Sequence, residues 1–128
     1  MDPEEFYRRA RVVRSTGVHD FAMELYLSGL NLGPDDVAAH QELRETALER
    51  AANGGKPLGM FQKFKVDSVL RKAGADDKAK MFAAEKLLAY DPAELMHMLD
   101  LLRHARAGGF HATAAWIESI IQRRRGGP

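Results

Sequence analysis

Cysteine is absent from the 128-residue chain, so a disulfide framework, a thiolate metal site and a cysteine nucleophile are all excluded. Strand signals are also scarce. Runs of Val, Ile and Thr are few, and no alternating stretch is bounded by turn residues. No apolar run approaches the roughly 20 residues that cross a bilayer. The N-terminus, Met1-Asp2-Pro3-Glu4-Glu5, is acidic and lacks the basic-then-apolar order of a secretory leader. A soluble, cytoplasmic protein with no membrane partner is the expectation. An excess of one charge sign is lacking as well. Net charge is +1, which gives no global electrostatic case for nucleic acid.

What remains is ordinary globular material, 45% hydrophobic and 29% charged, of a length that fits one domain. Such a domain buries roughly two-thirds of its unfolded surface. The charge is unevenly spread. Residues 1–55 carry six basic and ten acidic side chains, residues 56–80 seven and three, and residues 81–128 six and five. The middle segment is a basic insert.

Helix signals recur along the chain. Asp2-Pro3-Glu4-Glu5 supplies a capping Asp, Pro in the first turn and acids at the positive dipole end. Phe6, Ala10 and Val13 then form one apolar stripe, and Thr16-Gly17 ends the helix. A second helix, from about His19 to Leu32, is expected to bury Phe21, Ala22, Leu25, Tyr26, Gly29 and Leu30. Gly33-Pro34-Asp35-Asp36 stops it and caps a third, which carries Val37, Leu43, Ala47, Leu48 and Ala51 as far as Asn53-Gly54-Gly55. The insert runs from Lys56 to about Ala75, with a short helix predicted over Val66–Ala73. Asp76-Asp77 starts a helix with Met81, Ala84, Leu87 and Leu88 inward. Asp91-Pro92 launches another with Leu95, Met98, Leu99 and Leu102. Gly108-Gly109 precedes the last, with Phe110, Ala114, Ile117, Ile120 and Ile121. Short links make successive helices antiparallel neighbours.

Leu30-Asn31-Leu32-Gly33-Pro34-Asp35-Asp36 is echoed by Leu88-Ala89-Tyr90-Asp91-Pro92-Ala93-Glu94, with the two prolines 58 residues apart. Subtracting one 34-residue repeat leaves a remainder close to the insert. Residues 17–34 resemble the second helix of a tetratricopeptide repeat: Ala22 and Gly29 take its small positions, Tyr26 its aromatic position and Pro34 its terminating proline. Ala10 and Phe6 take the small and aromatic positions of the first helix. Arg9 and Val13 depart from the pattern, and the later pairs match loosely, through Pro92, Gly109 and Phe110. The whole chain also resembles a family of uncharacterised bacterial tetratricopeptide-like proteins, which implies no known activity. The resemblance implies an all-α, short solenoid of about three antiparallel helical hairpins: residues 3–36, an interrupted repeat at 37–91 with the insert at 56–75, residues 92–122, and a basic tail at 123–128. Each hairpin is apolar on two sides, so stacking is what buries them.

The same resemblance implies a groove lined by the first helix of each pair: Tyr7, Arg11 and Arg14; Gln41, Glu45 and Leu48; His97, Leu101 and His104. There Arg11 and Arg14 would bind a carboxylate of a partner peptide. The alternative is a solvated face on which those arginines pair with neighbouring glutamates. The five histidines are scattered. His97 and His104 stand two turns apart, roughly 10 Å along the axis, and cannot chelate one ion. No metal, cofactor or catalytic residue is expected, because Ser15, Ser28, Ser68 and Ser119 lack a nucleophile motif and Gly54-Gly55-Lys56 lacks the rest of a phosphate loop.

In the insert, Leu58, Met60, Phe61, Phe64, Val66, Val69 and Leu70 alternate with Lys63, Lys65, Arg71 and Lys72. It is expected to fold back on the solenoid with its lysines outward, the alternative being an exposed amphipathic arm. Trp116 is expected to seal the last hairpin against the one before. The functional expectation is a non-enzymatic protein-interaction module that binds a peptide or helix of another protein. The alternatives are a homo-oligomeric structural protein, or a weak RNA or polyanion binder acting through Lys63, Lys65, Arg71, Lys72 and the Arg123–Arg125 tail.

Overall fold

The computed structural model describes residues 1–72, 74 and 76–126, which form seven α-helices and no strand. The all-helical class read from the sequence is correct. The helices are α1 (Pro3–Ser15), α2 (His19–Leu32), α3 (Val37–Ala52), α4 (Met60–Arg71), α5 (Asp77–Tyr90), α6 (Leu95–Ala107) and α7 (His111–Arg125). Three start where a carboxylate takes an orphan backbone N–H: Asp2 accepts from Glu5 at 3.0 Å, Asp36 from Ala39 at 3.2 Å and Asp76 from Ala79 at 2.7 Å. The tight α1–α2 and α6–α7 turns pass through the left-handed region at Gly17 (φ +83°) and Gly109 (φ +77°), where glycine avoids the Cβ penalty.

The core has two clusters. α1, α2 and α3 enclose Tyr7, Met23, Tyr26, Leu27 and Leu43, with Ala89 and Tyr90 reaching in from α5. α5, α6 and α7 enclose Met81, Leu88, Met98, Leu101, Ile117 and Ile121. Serving both clusters, α5 packs on α2, α3, α4 and α6 and buries eight of its 14 residues. A helix in that position has no polar face to spare. The 37–91 segment was expected as an interrupted hairpin of α3 and α5. Those two helices touch only lightly, and α5 packs chiefly on α6.

Other details differ from expectation. On α2, Met23 and Leu27 are buried, whereas Phe21 is 56% exposed and Leu25 is half-buried. On α3, Leu48 and Ala51 face outward, and His40 and Thr46 take the inner stripe. The insert helix starts six residues before its predicted Val66; its predicted end, Ala73, lies outside the described residues, as does Ala75. The arginines at 123–125 belong to α7.

The α1–α2 crossing depends on small residues. Ala10, Ala22 and Gly29 are buried there, and the Tyr7 ring lies against Gly29 and stacks on Tyr26 with centroids 6.2 Å apart. The Tyr7 hydroxyl is buried with no hydrogen-bond partner among the described residues. Burial, reinforced by Asp36 and Glu4, pushes its pKa well up. A desolvated, unpaired hydroxyl costs about 1–3 kcal/mol. Tyr7→Phe is therefore expected to melt at the same temperature as the parent or higher, in a thermal scan followed by circular dichroism.

Candidate functional site

Between α3 and α7 lies an open cleft of about 890 Å³, with the turn from α5 to α6 forming part of its lining. Helical spacing supplies its walls. Gln41, Arg44, Glu45 and Leu48 recur at i, i+3, i+4 and i+7 on α3. Trp116, Ser119, Ile120, Arg123 and Arg124 follow the same period on α7. Pro92 and Ala93 come from the turn and Met98 from α6. Leu48, Met98, Trp116 and Ile120 are the apolar lining; Arg44, Arg123 and Arg124 bring the charge.

Those arginines have no carboxylate within ion-pair distance among the described residues. Arg44 donates from Nη1 to the Pro92 carbonyl, and Arg124 from Nε to the Ala93 carbonyl, each at 3.2 Å. Burial lowers the Arg44 pKa, the charge of Arg123 lowers it further, and only Glu85 acts the other way. Glu45 is the one acidic residue lining the cleft, and its nearest cation is Arg14, at 3.5 Å. Cations gathered around an apolar surface without counterions would be relieved by an incoming anion.

The inner wall of the cleft is held by a buried polar network. The Trp116 ring stacks on His40, with centroids 5.3 Å apart and 27° between planes, so Trp116 does seal α7 against α3. His40 is 1% exposed. Its Nδ1 lies 2.6 Å from Glu85 Oε1 and its Nε2 lies 2.7 Å from the Pro34 carbonyl. Acceptors at both ring nitrogens call for the doubly protonated imidazolium. Burial opposes that charge, but the charge and hydrogen bond of Glu85 outweigh it and hold the His40 pKa above its ordinary value. Asp35 accepts from Thr113, from the backbone N–H and the hydroxyl, both at 2.8 Å. These bonds overcome desolvation and lower the Asp35 pKa. The network therefore ties the α2–α3 turn and α3 to α5 and α7.

The residues assigned to a groove from sequence divide into three groups. Gln41, Glu45 and Leu48 line the cleft. Arg11 and Arg14 are taken up by ion pairs with α3. Arg11 makes a bidentate pair with Glu42 at 2.8 and 3.0 Å, and Arg14 another with Glu49 at 2.9 and 2.7 Å. This is the paired face that was the alternative. Glu42 also accepts from the Tyr26 hydroxyl at 3.0 Å; burial first, then this bond, push Tyr26 up to about 12. Tyr7, His97, Leu101 and His104 are buried and present nothing to a partner, because the inward stripes of α1 and α6 fall one step round from the assigned register. His104 Nδ1 lies 3.7 Å from Asp77, and burial leads its pKa downward. His40, His97 and His104 belong to the interior.

On the insert, Lys63, Lys65, Arg71 and Lys72 are all exposed. α4 leans on α5 but buries no residue completely, so the insert folds back only along one side. It lines no part of the cleft. Among the described residues, no three His, Asp or Glu side chains converge as metal ligands, and no helix is long and apolar enough to cross a membrane. Sequence reasoning missed Arg44, Arg123 and Arg124 as a set. Arg123 and Arg124 were read only as part of a basic tail for a polyanion, and the one signal for Arg44 was its place on α3 beside the assigned Gln41, Glu45 and Leu48. No protein-family model, curated protein or solved structure matches this chain.

Proposed function

We propose that this chain is a non-catalytic protein-interaction module of stacked, tetratricopeptide-like helices that holds an acidic peptide segment of a partner in the cleft between α3 and α7. The observation that carries this reading is the set of Arg44, Arg123 and Arg124 around Trp116 and Ile120 with no ion-paired carboxylate among the described residues. A guanidinium presents a planar fork that matches a carboxylate, and Arg and Trp are the residue types that dominate binding energy at interfaces. The cleft is large enough for a few side chains of an extended or helical segment. The helix-pair reading is supported by the close crossing at Ala10, Ala22 and Gly29, which are the small positions of such repeats.

The test is selection of peptides from a random displayed library on the immobilised chain. Peptides enriched in Asp and Glu are expected. Arg44→Glu with Arg123→Glu should weaken a selected peptide by about tenfold or more per arginine, because a hydrogen bond to a charged group contributes about 1.5–3 kcal/mol. Circular dichroism should be unchanged, since Arg123 is exposed and Arg44 only half-buried. A library that yields no acidic preference, or peptides indifferent to the double reversal, would remove the cleft as the binding site.

A further inference from the structure

We propose that the N-terminal end of α4, where Met60, Phe61 and Phe64 project between Lys56, Lys63 and Lys65, docks onto an anionic lipid surface. α4 meets the body through Val66, Val69 and Leu70, which are half-buried, while Met60, Phe61 and Phe64 are 89%, 73% and 64% exposed. At 100° per residue, the exposed three lie on the side of the helix opposite the packed three. Two apolar faces on a short helix are not needed to attach it to α5; the outer one is free for something else. Exposed apolar clusters of this kind mark interaction sites.

Charge decides what covers it. Residues 53–66 contain three lysines, and the one acid of α4, Asp67, follows a turn beyond the tip, so the tip is net positive and the complementary surface is negative. Lys63 and Lys65 fall on the two flanks of the apolar face, where their stems can lie along it and their ammonium groups can reach outward to phosphates. Lys65 already lies over the Phe61 ring, with Nζ 4.8 Å from its centroid. Shape separates a lipid surface from a protein groove. Recognition of a helix in a groove uses apolar anchors over two turns, at i, i+4 and i+7. Here the row stops after one turn: seven residues beyond Met60 is Asp67, and seven beyond Phe61 is Ser68. A short exposed apolar tip flanked by Lys63 and Lys65 fits a fluid interface that closes around it. The resulting attachment is shallow, reversible and salt-dependent, and it shares no residue with the cleft.

The experiment is co-sedimentation of the full chain with vesicles of phosphatidylcholine alone and of phosphatidylcholine containing about one-third phosphatidylglycerol. Binding to the anionic vesicles alone is expected, declining as salt rises. The triple change Met60→Ser, Phe61→Ser, Phe64→Ser should weaken it about tenfold or more, and Lys63→Glu with Lys65→Glu similarly. Both variants alter only exposed side chains, and circular dichroism checks that the helices persist. Three results would overturn the proposal: no binding to anionic vesicles at low salt; triple-serine binding equal to the parent, which would transfer it to bare charge such as Arg123–Arg125; or no lipid binding together with self-association that the triple change abolishes, which would make a second copy the occupant.

Discussion

Glu85→Ala is expected to destabilise the chain by about 3–5 kcal/mol, the usual consequence of removing one partner of a buried ion pair. That is a large share of the roughly 5–15 kcal/mol that holds such a domain folded. The change leaves the His40 imidazolium, 1% exposed, without the carboxylate 2.6 Å from its Nδ1. Glu85→Gln should cost less, because the amide oxygen can still accept from Nδ1. Replacing His40 and Glu85 together by leucine should cost less than the sum of the single changes, since neither charge is then stranded. Urea unfolding of Glu85→Ala, Glu85→Gln, the two single leucine changes and the double change measures this directly.

The same pair makes stability depend on pH with a definite sign. The folded-state pKa of His40 is raised, so the folded chain binds the proton more tightly than the unfolded chain. The contribution is fully present below the unfolded value of about 6.5, and is lost as pH rises through the folded value. Trp116, the one tryptophan, stacks on this imidazole and reports its charge, because imidazolium quenches indole emission. Fluorescence should therefore rise on the alkaline side of 6.5, and in Glu85→Gln the rise should move to lower pH. A titration unchanged by Glu85→Gln would mean that the carboxylate does not hold the proton on His40. Trp116 also lines the cleft, so neutralising His40 should loosen the surface on which a partner rests.

How legible this was depends on the distance over which each feature is encoded. The caps at Asp2, Asp36 and Asp76 and the glycine turn at Gly17 are written within three or four residues, and they were readable. Ala10, Ala22 and Gly29 were readable as small crossing positions through the resemblance to a tetratricopeptide helix pair. The polar network was not. His40 meets Glu85 from 45 residues away and Thr113 from 73, and no local pattern joins them. The one hint was that His40 shares a stripe with Leu43 and Ala47, which argues for burial rather than a surface site. For α4, folding back and an exposed arm were the two readings, and each holds for one face of the helix. Hydrophobicity alone does not say which of two apolar faces meets the body, and the half carrying the aromatics was left outside. The groove was read by register on three helices, and on α3 the assigned Gln41, Glu45 and Leu48 line the cleft. On α1 and α6 the assigned positions include side chains that the core takes: Tyr7 for Gly29, and Leu101 for the packing against α5 and α7.

Gly29→Ala is the sharpest test of the α1–α2 crossing, because two effects compete with opposite signs. Within a helix, alanine is favoured over glycine by about 1 kcal/mol, so an unhindered change would stabilise. Here a Cβ on Gly29 would fall against Cε1 of Tyr7 and within 2.9 Å of its Cζ. Those are ring atoms of a side chain 2% exposed and stacked on Tyr26, not the free end of a flexible chain. The ring cannot rotate away without opening the first core cluster, and overpacking of this kind costs about 1–3 kcal/mol or more. A net loss of stability is expected in chemical denaturation. Shortening the obstacle should reverse the sign of the glycine effect: with Tyr7→Leu as background, Gly29→Ala is expected to stabilise or do nothing. If Gly29→Ala stabilises the parent chain itself, α1 and α2 do not approach as closely as described. The small-residue crossing on which the paired-helix reading rests would then be lost with it.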